Sequence, residues 1–88
     1  MVYIVTFNVT SEDSRNRVRE VLKNFSSYCP IHRYCWAVDT DENAVIIRDK
    51  IKAVLQSDES VFVIRSGTEA AWFNSYGEKN NKWLKEKL

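Results

Sequence analysis

The sequence predicts a small α+β domain in which two helices cover one face of a β-sheet. Segments 2–9, 34–38 and 61–65 are rich in β-branched and aromatic residues, a composition typical of strands. Amphipathic helical segments separate these strands, so each helix connects one strand to the next as a crossover. The chain of 88 residues has room for one hydrophobic core, and we expect a single domain over residues 1–88.

The first predicted strand, residues 2–9, carries apolar side chains on both of its alternating faces. One face holds Tyr3, Val5, Phe7 and Val9, and the other holds Val2, Ile4 and Thr6. A strand that is apolar on both faces is covered on both, so we expect it in the centre of the sheet.

The two predicted helices each start at a capping residue and carry one apolar stripe. Thr10 or Ser11 is expected to cap the first helix, and Thr40 is expected to cap the second. The first stripe consists of Val18, Val21, Leu22 and Phe25, and the second of Ala44, Ile47, Ile51, Val54 and Leu55.

The remaining segments complete the predicted order. Residues 26–33, with Pro30, are expected to form a loop, and residues 69–73 to return as a short edge strand. Residues 78–88 predict a short basic helix with Trp83, Leu84 and Leu88 pointing inward. This β-α-β-α-β(β) order with a short C-terminal helix is typical of a ferredoxin-like sandwich.

The pattern also predicts a homodimer. The first and third strands are apolar on both faces, yet the two helices cover only one. Soluble monomers rarely expose an apolar face of that size, so we expect a second copy to cover it, through the face or an edge.

Charge and hydropathy limit how the chain could contact nucleic acid or a membrane. The chain has 13 basic and 12 acidic residues, a net charge of +1, so any contact with nucleic acid must come from a local patch. No apolar stretch approaches the ~20 residues that span a membrane. The apolar run at residues 2–7 lacks the flanks of an export signal, so we expect a cytoplasmic protein with both cysteines reduced.

Two local basic patches are candidate contacts for nucleic acid or a protein partner. Arg15 and Arg19 lie four residues apart in the first half of the first helix, where cations oppose the helix dipole. Lys82 and Lys85 flank Trp83 in the tail, and basic residues beside aromatic ones suit nucleic-acid contact. The alternatives are a solvated helix face for the arginines and a core position for the tryptophan.

The spacing Cys29-x-x-His32-x-x-Cys35 allows two further interpretations. A structural zinc site needs four ligands and only three occur here, so we expect no metal site. Cysteine–histidine catalysis requires a positioned pair and an orienting group, which sequence proximity does not supply. Two ordinary thiols and a loop histidine are the simpler interpretation.

The segments Tyr3-Ile4-Val5-Thr6-Phe7-Asn8-Val9 and Ser60-Val61-Phe62-Val63-Ile64 resemble the small CRISPR-associated adaptation proteins and virulence-associated protein D. The segments Trp36-Ala37-Val38-Asp39-Thr40-Asp41, Ala71-Trp72-Phe73 and Trp83-Leu84-Lys85-Glu86-Lys87-Leu88 look like a group of small bacterial and phage proteins. The resemblance implies a ferredoxin-like dimer. It also implies a metal-binding nuclease site at an aspartate that ends the first strand, where this sequence has Asn8.

An amide oxygen at that position brings no negative charge to hold a divalent ion or to activate water. We therefore expect a non-catalytic, dimeric binding module without a cofactor. It would act on nucleic acid or a protein partner in a toxin–antitoxin, mobile-element or phage-defence setting. The alternative is a metal-dependent endoribonuclease or endodeoxyribonuclease that uses Mg²⁺ or Mn²⁺.

Overall fold

The computed structural model describes residues 1–67, 69–73 and 77–88. The elements are β1 (Val2–Asn8), α1 (Glu12–Lys23), β2 (Ser27–His32), β3 (Cys35–Asp39), α2 (Ala44–Lys52), β4 (Ser60–Arg65) and α3 (Gly77–Lys87). The four strands form one sheet in the order β2-β3-β1-β4, and all neighbouring strands are antiparallel. The ferredoxin-like α+β fold is confirmed, with β1 in the interior of the sheet as predicted.

The second strand, β2, is the main element that the sequence pattern did not predict. Residues 26–33 were expected to be a loop because of Pro30, but Ser27–His32 pairs with β3 as an antiparallel hairpin. The pairing shifts register between Pro30 and His32. A proline is tolerated here because β2 is an edge strand. No strand lies on its outer side, so no hydrogen bond of the sheet is lost there through the missing N–H.

The expected edge strand at residues 69–73 is wrong, since the structure assigns none of these five residues to a strand. Glu69, Ala70 and Ala71 are weak strand formers, so backbone pairing gains little from their side chains. The segment instead packs the Trp72 ring against the sheet, next to Ile4.

The helix caps agree with the sequence in one case and not in the other. Ser11 caps α1, and its hydroxyl accepts the Ser14 N–H at 3.1 Å. The cap of α2 is Asn43 and not Thr40, because the Asn43 side-chain oxygen accepts the Ile46 N–H at 3.0 Å. The Thr40 hydroxyl accepts the Glu42 N–H one turn earlier, so the helix begins later than predicted.

The main core lies between the sheet and the two helices α1 and α2. It joins alternate residues of β1 and β3 to the predicted helix stripes. The fully or nearly buried members include Val5, Phe7, Val18, Leu22, Trp36, Val38, Ile47 and Ile51. Burial of these side chains explains the 3.6- and 2-residue periodicities in the sequence.

The opposite face of the sheet is covered in part by α3, which corrects the expectation that this face would be bare. Leu84 of α3 is buried with Val2, Cys29 and Ala37, and Trp83 packs beside them. Leu88, expected to point inward, is 39% exposed. The part of this face that belongs to β4 is open: Phe62 is 61% exposed and Ile64 is 52% exposed.

Across the described residues, the structure contains no helix with the length and apolarity to cross a membrane.

Candidate functional site

The end of β1 is the position at which the family resemblance places a catalytic aspartate. Asn8 lies there with its side chain exposed, opposite Ser60 of β4. The nearby carboxylate belongs to Glu59, and its Oε2 accepts the Thr10 N–H at 2.9 Å and the Thr10 hydroxyl at 3.0 Å. Its Oε1 accepts the Gln56 N–H at 2.7 Å.

These bonds determine the chemistry of Glu59. The backbone hydrogen bond from Thr10, followed by that from Gln56, lowers the Glu59 pKa to about 2. Both carboxylate oxygens are engaged in joining the β1–α1 connection to the turn before β4. The strand end therefore offers one neutral amide and one carboxylate that already has a structural role, a poor donor set for a divalent cation.

The cysteine–histidine series lies on the β2–β3 hairpin. His32 is exposed and pairs in register with Cys35, while Cys29 is buried opposite Ala37. Desolvation raises the Cys29 pKa to about 11 and raises the Cys35 pKa as well, so both thiols are protonated at neutral pH and poorly nucleophilic. No group of three or more His, Cys, Asp or Glu residues is placed to hold a metal ion within residues 1–67, 69–73 and 77–88.

Arg15 lies in a contact network with the turn of the hairpin. Its Nε donates to the Arg33 carbonyl oxygen at 3.1 Å, and its guanidinium lies 3.6 Å from the Glu12 carboxylate. The side chain also lies beside the Tyr34 ring and is 11% exposed. Arg33 binds the same Glu12 from the solvent side. Arg15 thus joins α1 to the hairpin and offers little surface to a partner.

Arg19, one turn further along α1, is half-buried. Its Nε is buried and finds no hydrogen-bond partner among the residues that the structure describes. A buried unsatisfied donor carries a desolvation cost. The two arginines that the sequence groups together therefore have different environments, and neither is a freely solvated cation.

The second predicted patch, on α3, is open to solvent. Lys82 and Lys85 are exposed, as is Lys79 one turn before them. The helix is anchored from its other side, where Leu84 is buried and Trp83 Nε1 donates to the Ser27 hydroxyl at 3.0 Å. This anchoring fixes the direction in which the lysines project.

An aromatic ring shares a groove with one of these lysines, Lys85. Phe73 is 83% exposed, and with Trp72 and Lys85 it lines a groove of about 590 Å³. The other residues of this groove are Ala70, Ala71, Gly77, Glu78 and Asn81. We use the name α3 surface for Phe73, Lys79, Lys82 and Lys85.

The sequence analysis named Lys82 and Lys85, which the structure places exposed on α3, but it did not name Phe73. An aromatic residue in the run Ala71-Trp72-Phe73 has the signature of a core residue, and its neighbour Trp72 is indeed half-buried. Arg33 and Tyr34, which hold Arg15, were also missed, because nothing local in the sequence connects the hairpin turn to α1.

No protein-family model matches this sequence, and no curated protein matches it. The resemblance to CRISPR-associated adaptation proteins therefore depends on the short sequence motifs alone.

Proposed function

We propose that this chain is a non-catalytic binding module that works as a homodimer and binds single-stranded nucleic acid through the α3 surface. The observation that carries this proposal is the exposed Phe73 ring in one groove with Lys85. Bases stack on exposed aromatic rings while cationic side chains follow the phosphates, and this combination binds single strands with little sequence preference.

The charge arrangement supports an anionic partner. Lys79, Lys82 and Lys85 recur at three-residue spacing, so they are neighbours along one side of α3. Lys87, by contrast, lies 3.5 Å from the Asp39 carboxylate and is drawn toward the sheet. With a net charge of +1 the whole chain exerts a weak field, so contact must depend on this local group.

The strand end supports a non-catalytic role. Hydrolysis of a phosphodiester by metal ions needs carboxylates that hold the ion and lower the pKa of bound water. Asn8 carries no charge, and Glu59 has its oxygens committed to Thr10 and Gln56.

The open part of the sheet supports a dimer. Phe62 and Ile64 project side by side from β4 on the face that α3 leaves uncovered. A homodimer would hide this apolar strip and present two α3 surfaces to one strand, which raises the affinity through the second, intramolecular contact.

Fluorescence anisotropy with labelled single-stranded RNA and DNA tests the proposal over a range of salt concentrations. The double variant Lys82→Gln/Lys85→Gln should lower the slope of log K against log salt by about 1.4, since each phosphate contact on a single strand contributes about 0.7. The control Lys23→Gln/Lys52→Gln removes the same charge from α1 and α2 and should leave the slope unchanged.

Phe73→Ala should weaken binding by about 1–3 kcal/mol, the value of one base–aromatic stack. If both double lysine variants lower the salt slope equally, binding depends on the total charge of the chain. That result would contradict a binding site at the α3 surface. An absence of binding at low salt would reject nucleic acid as the partner. The chain would then be a module that binds a protein.

A further inference from the structure

We propose that two copies of this chain associate through the outer edge of β4, which pairs antiparallel with β4 of the partner about a two-fold axis at Val63. The two four-stranded sheets would join into one continuous sheet. This inference rests on the dimer of the proposed function and adds the surface and the register of association.

The sheet has two outer strands, β2 and β4, and among residues 1–67, 69–73 and 77–88 the features that block pairing lie on β2. It contains Pro30 and a register shift between Pro30 and His32, and α3 packs beside it. Proline, bulges and covering elements are the means by which proteins block edge association. The strand β4 has the sequence Ser-Val-Phe-Val-Ile-Arg, without proline, and Arg65 at its end is its one charged residue.

The backbone of β4 has its unpaired groups at alternate residues. The Ser66 N–H donates to the Val2 carbonyl oxygen at 2.9 Å, and the register of β1 with β4 is continuous from this point. Ile64, Phe62 and Ser60 therefore exchange hydrogen bonds with β1. The N–H and C=O groups of Val61, Val63 and Arg65 point the other way, toward the outer edge.

A two-fold axis at Val63 places the outward-pointing N–H and C=O groups of one β4 opposite those of the β4 in the partner subunit. Val63 faces Val63 of the partner subunit, and Val61 faces Arg65 of the partner subunit, so outward-pointing residues meet outward-pointing residues. Phe62 then faces Ile64 of the partner subunit in a pair without backbone hydrogen bonds, where side chains are closest.

Other registers match less well. A slip of one residue places outward-pointing positions opposite inward-pointing ones and turns the apolar side chains to the wrong face. A slip of two residues centres the axis on Phe62 or on Ile64. It places Ile64 opposite Ser60 in the first case and Phe62 opposite Ser66 in the second, so both Phe62–Ile64 pairs are lost. Of these registers, the one centred on Val63 pairs Phe62 of each copy with Ile64 of the other.

The surface next to this edge extends the interface. Val45 of α2 is 54% exposed and lines a groove with Arg48, Val61 and Val63 along the edge. With Phe62, Ile64 and the strand backbone it forms one continuous surface along the outer edge of β4.

This arrangement has a consequence for Asn8. Asn8 lies opposite Ser60, three residues from the axis and one strand further in, so the two copies would be about 25 Å apart. Two strand ends at that distance cannot share one metal ion, so the paired nuclease site implied by the family resemblance cannot form in this dimer.

Disulfide trapping tests the register in a Cys35→Ser background, where the remaining Cys29 is buried. Phe62→Cys and Ile64→Cys proteins, mixed and mildly oxidised, should form a mixed Cys–Cys dimer, because facing residues lie about 4.5 Å apart at Cα. Each variant alone should stay unlinked, since like positions are diagonal neighbours at about 8 Å. Mass spectrometry of the linked peptides identifies the pair.

Light scattering and sedimentation give the second readout. Phe62→Lys, at an exposed position that does not threaten folding, should raise the dissociation constant of the dimer at least tenfold. Phe73→Lys, which changes an exposed ring outside β4, should leave that constant unchanged. If the natural protein is a dimer but no mixed disulfide forms, or if Phe62→Lys leaves the dissociation constant unchanged, association through the β4 edge is wrong. The homodimer of the proposed function would still hold. A monomer at 100 μM or above overturns both, while nucleic-acid binding is decided separately by anisotropy.

Discussion

The indole Nε1 of Trp83 donates a hydrogen bond of 3.0 Å to the Ser27 hydroxyl, which connects the C-terminal helix to the first residue of β2. One residue further, Leu84 is buried against Val2 and Cys29. Because α3 covers this half of the sheet face, its docking decides both where the basic residues project and how much of the sheet is left for a partner.

We predict that Trp83→Phe loosens α3 without unfolding the sheet. The variant keeps an aromatic ring but loses the bond to Ser27, so it should lower the free energy of unfolding by about 0.5–1.5 kcal/mol. In a Cys35→Ser background, the thiol of Cys29, which lies 3.6 Å from the Asn80 carbonyl oxygen, should react faster with a thiol reagent. An unchanged reaction rate would mean that the Ser27 bond does not hold the helix. Ser27→Ala, which removes the other partner, is the matched variant.

Glu59 gives a prediction about pH. Its pKa is lowered to about 2 by the Thr10 and Gln56 backbone hydrogen bonds, so its stabilising effect is present above its ordinary pKa of 4.5 and is lost as the pH falls toward 2. The difference in unfolding free energy between the natural protein and Glu59→Gln should be constant from pH 5 to 7 and shrink between pH 4.5 and 2. Urea denaturation at a series of pH values measures it. A difference that grows on acidification would contradict the assigned bonds.

The two arginines of α1 should respond differently to the same substitution. Arg15→Met removes the bond to the Arg33 carbonyl and the contact with Glu12, and should destabilise the protein by about 1.5–3 kcal/mol. Arg19→Met removes a buried Nε that has no partner in the described parts of the chain, and should be neutral or stabilising. Chemical denaturation measures the free energy of unfolding of both variants. An equal loss of stability in the two would refute the separate roles of these side chains.

Asn8 separates the binding module from the nuclease. We predict no Mg²⁺- or Mn²⁺-dependent cleavage of RNA or DNA by the natural protein, because Asn8 brings no charge and Glu59 has both oxygens bonded to Thr10 and Gln56. Gel assays with single- and double-stranded substrates measure it. Cleavage that disappears in Asn8→Ala would make the protein an enzyme. Cleavage that is indifferent to Asn8 would come from a contaminant or from another site.

Much of the fold could be predicted because its elements are periodic. The alternation along β1 and the stripe from Val18 to Phe25 record which side of each element is buried, and the main core has these residues as members. The hairpin strand β2 and the cap Asn43 were missed for a local reason. Pro30 reads as a loop residue unless the strand is known to be an edge, and Thr40 and Asn43 are equally good caps by residue type.

The candidate site was only partly predictable. The sequence identified Lys82 and Lys85 as a basic patch, and both side chains are exposed on α3. It grouped Arg15 with Arg19, but exposure of a long polar side chain depends on segments that are distant in the chain. Arg15 is covered because the turn at Arg33 and Tyr34 packs over it, a contact between residues 18 or more positions apart.

By itself the sequence determined β1, β3, β4 and the three helices, their order and the apolar sides of β1, α1 and α2, since these depend on local periodicity and side-chain chemistry. Only the tertiary structure decided which apolar surface remains open. The docking of α3 buries Val2, Cys29 and Ala37 but stops short of β4, so Phe62 and Ile64 stay exposed. No local pattern distinguishes these two groups, because both are apolar residues in strands, and the difference arises from where a distant helix comes to rest.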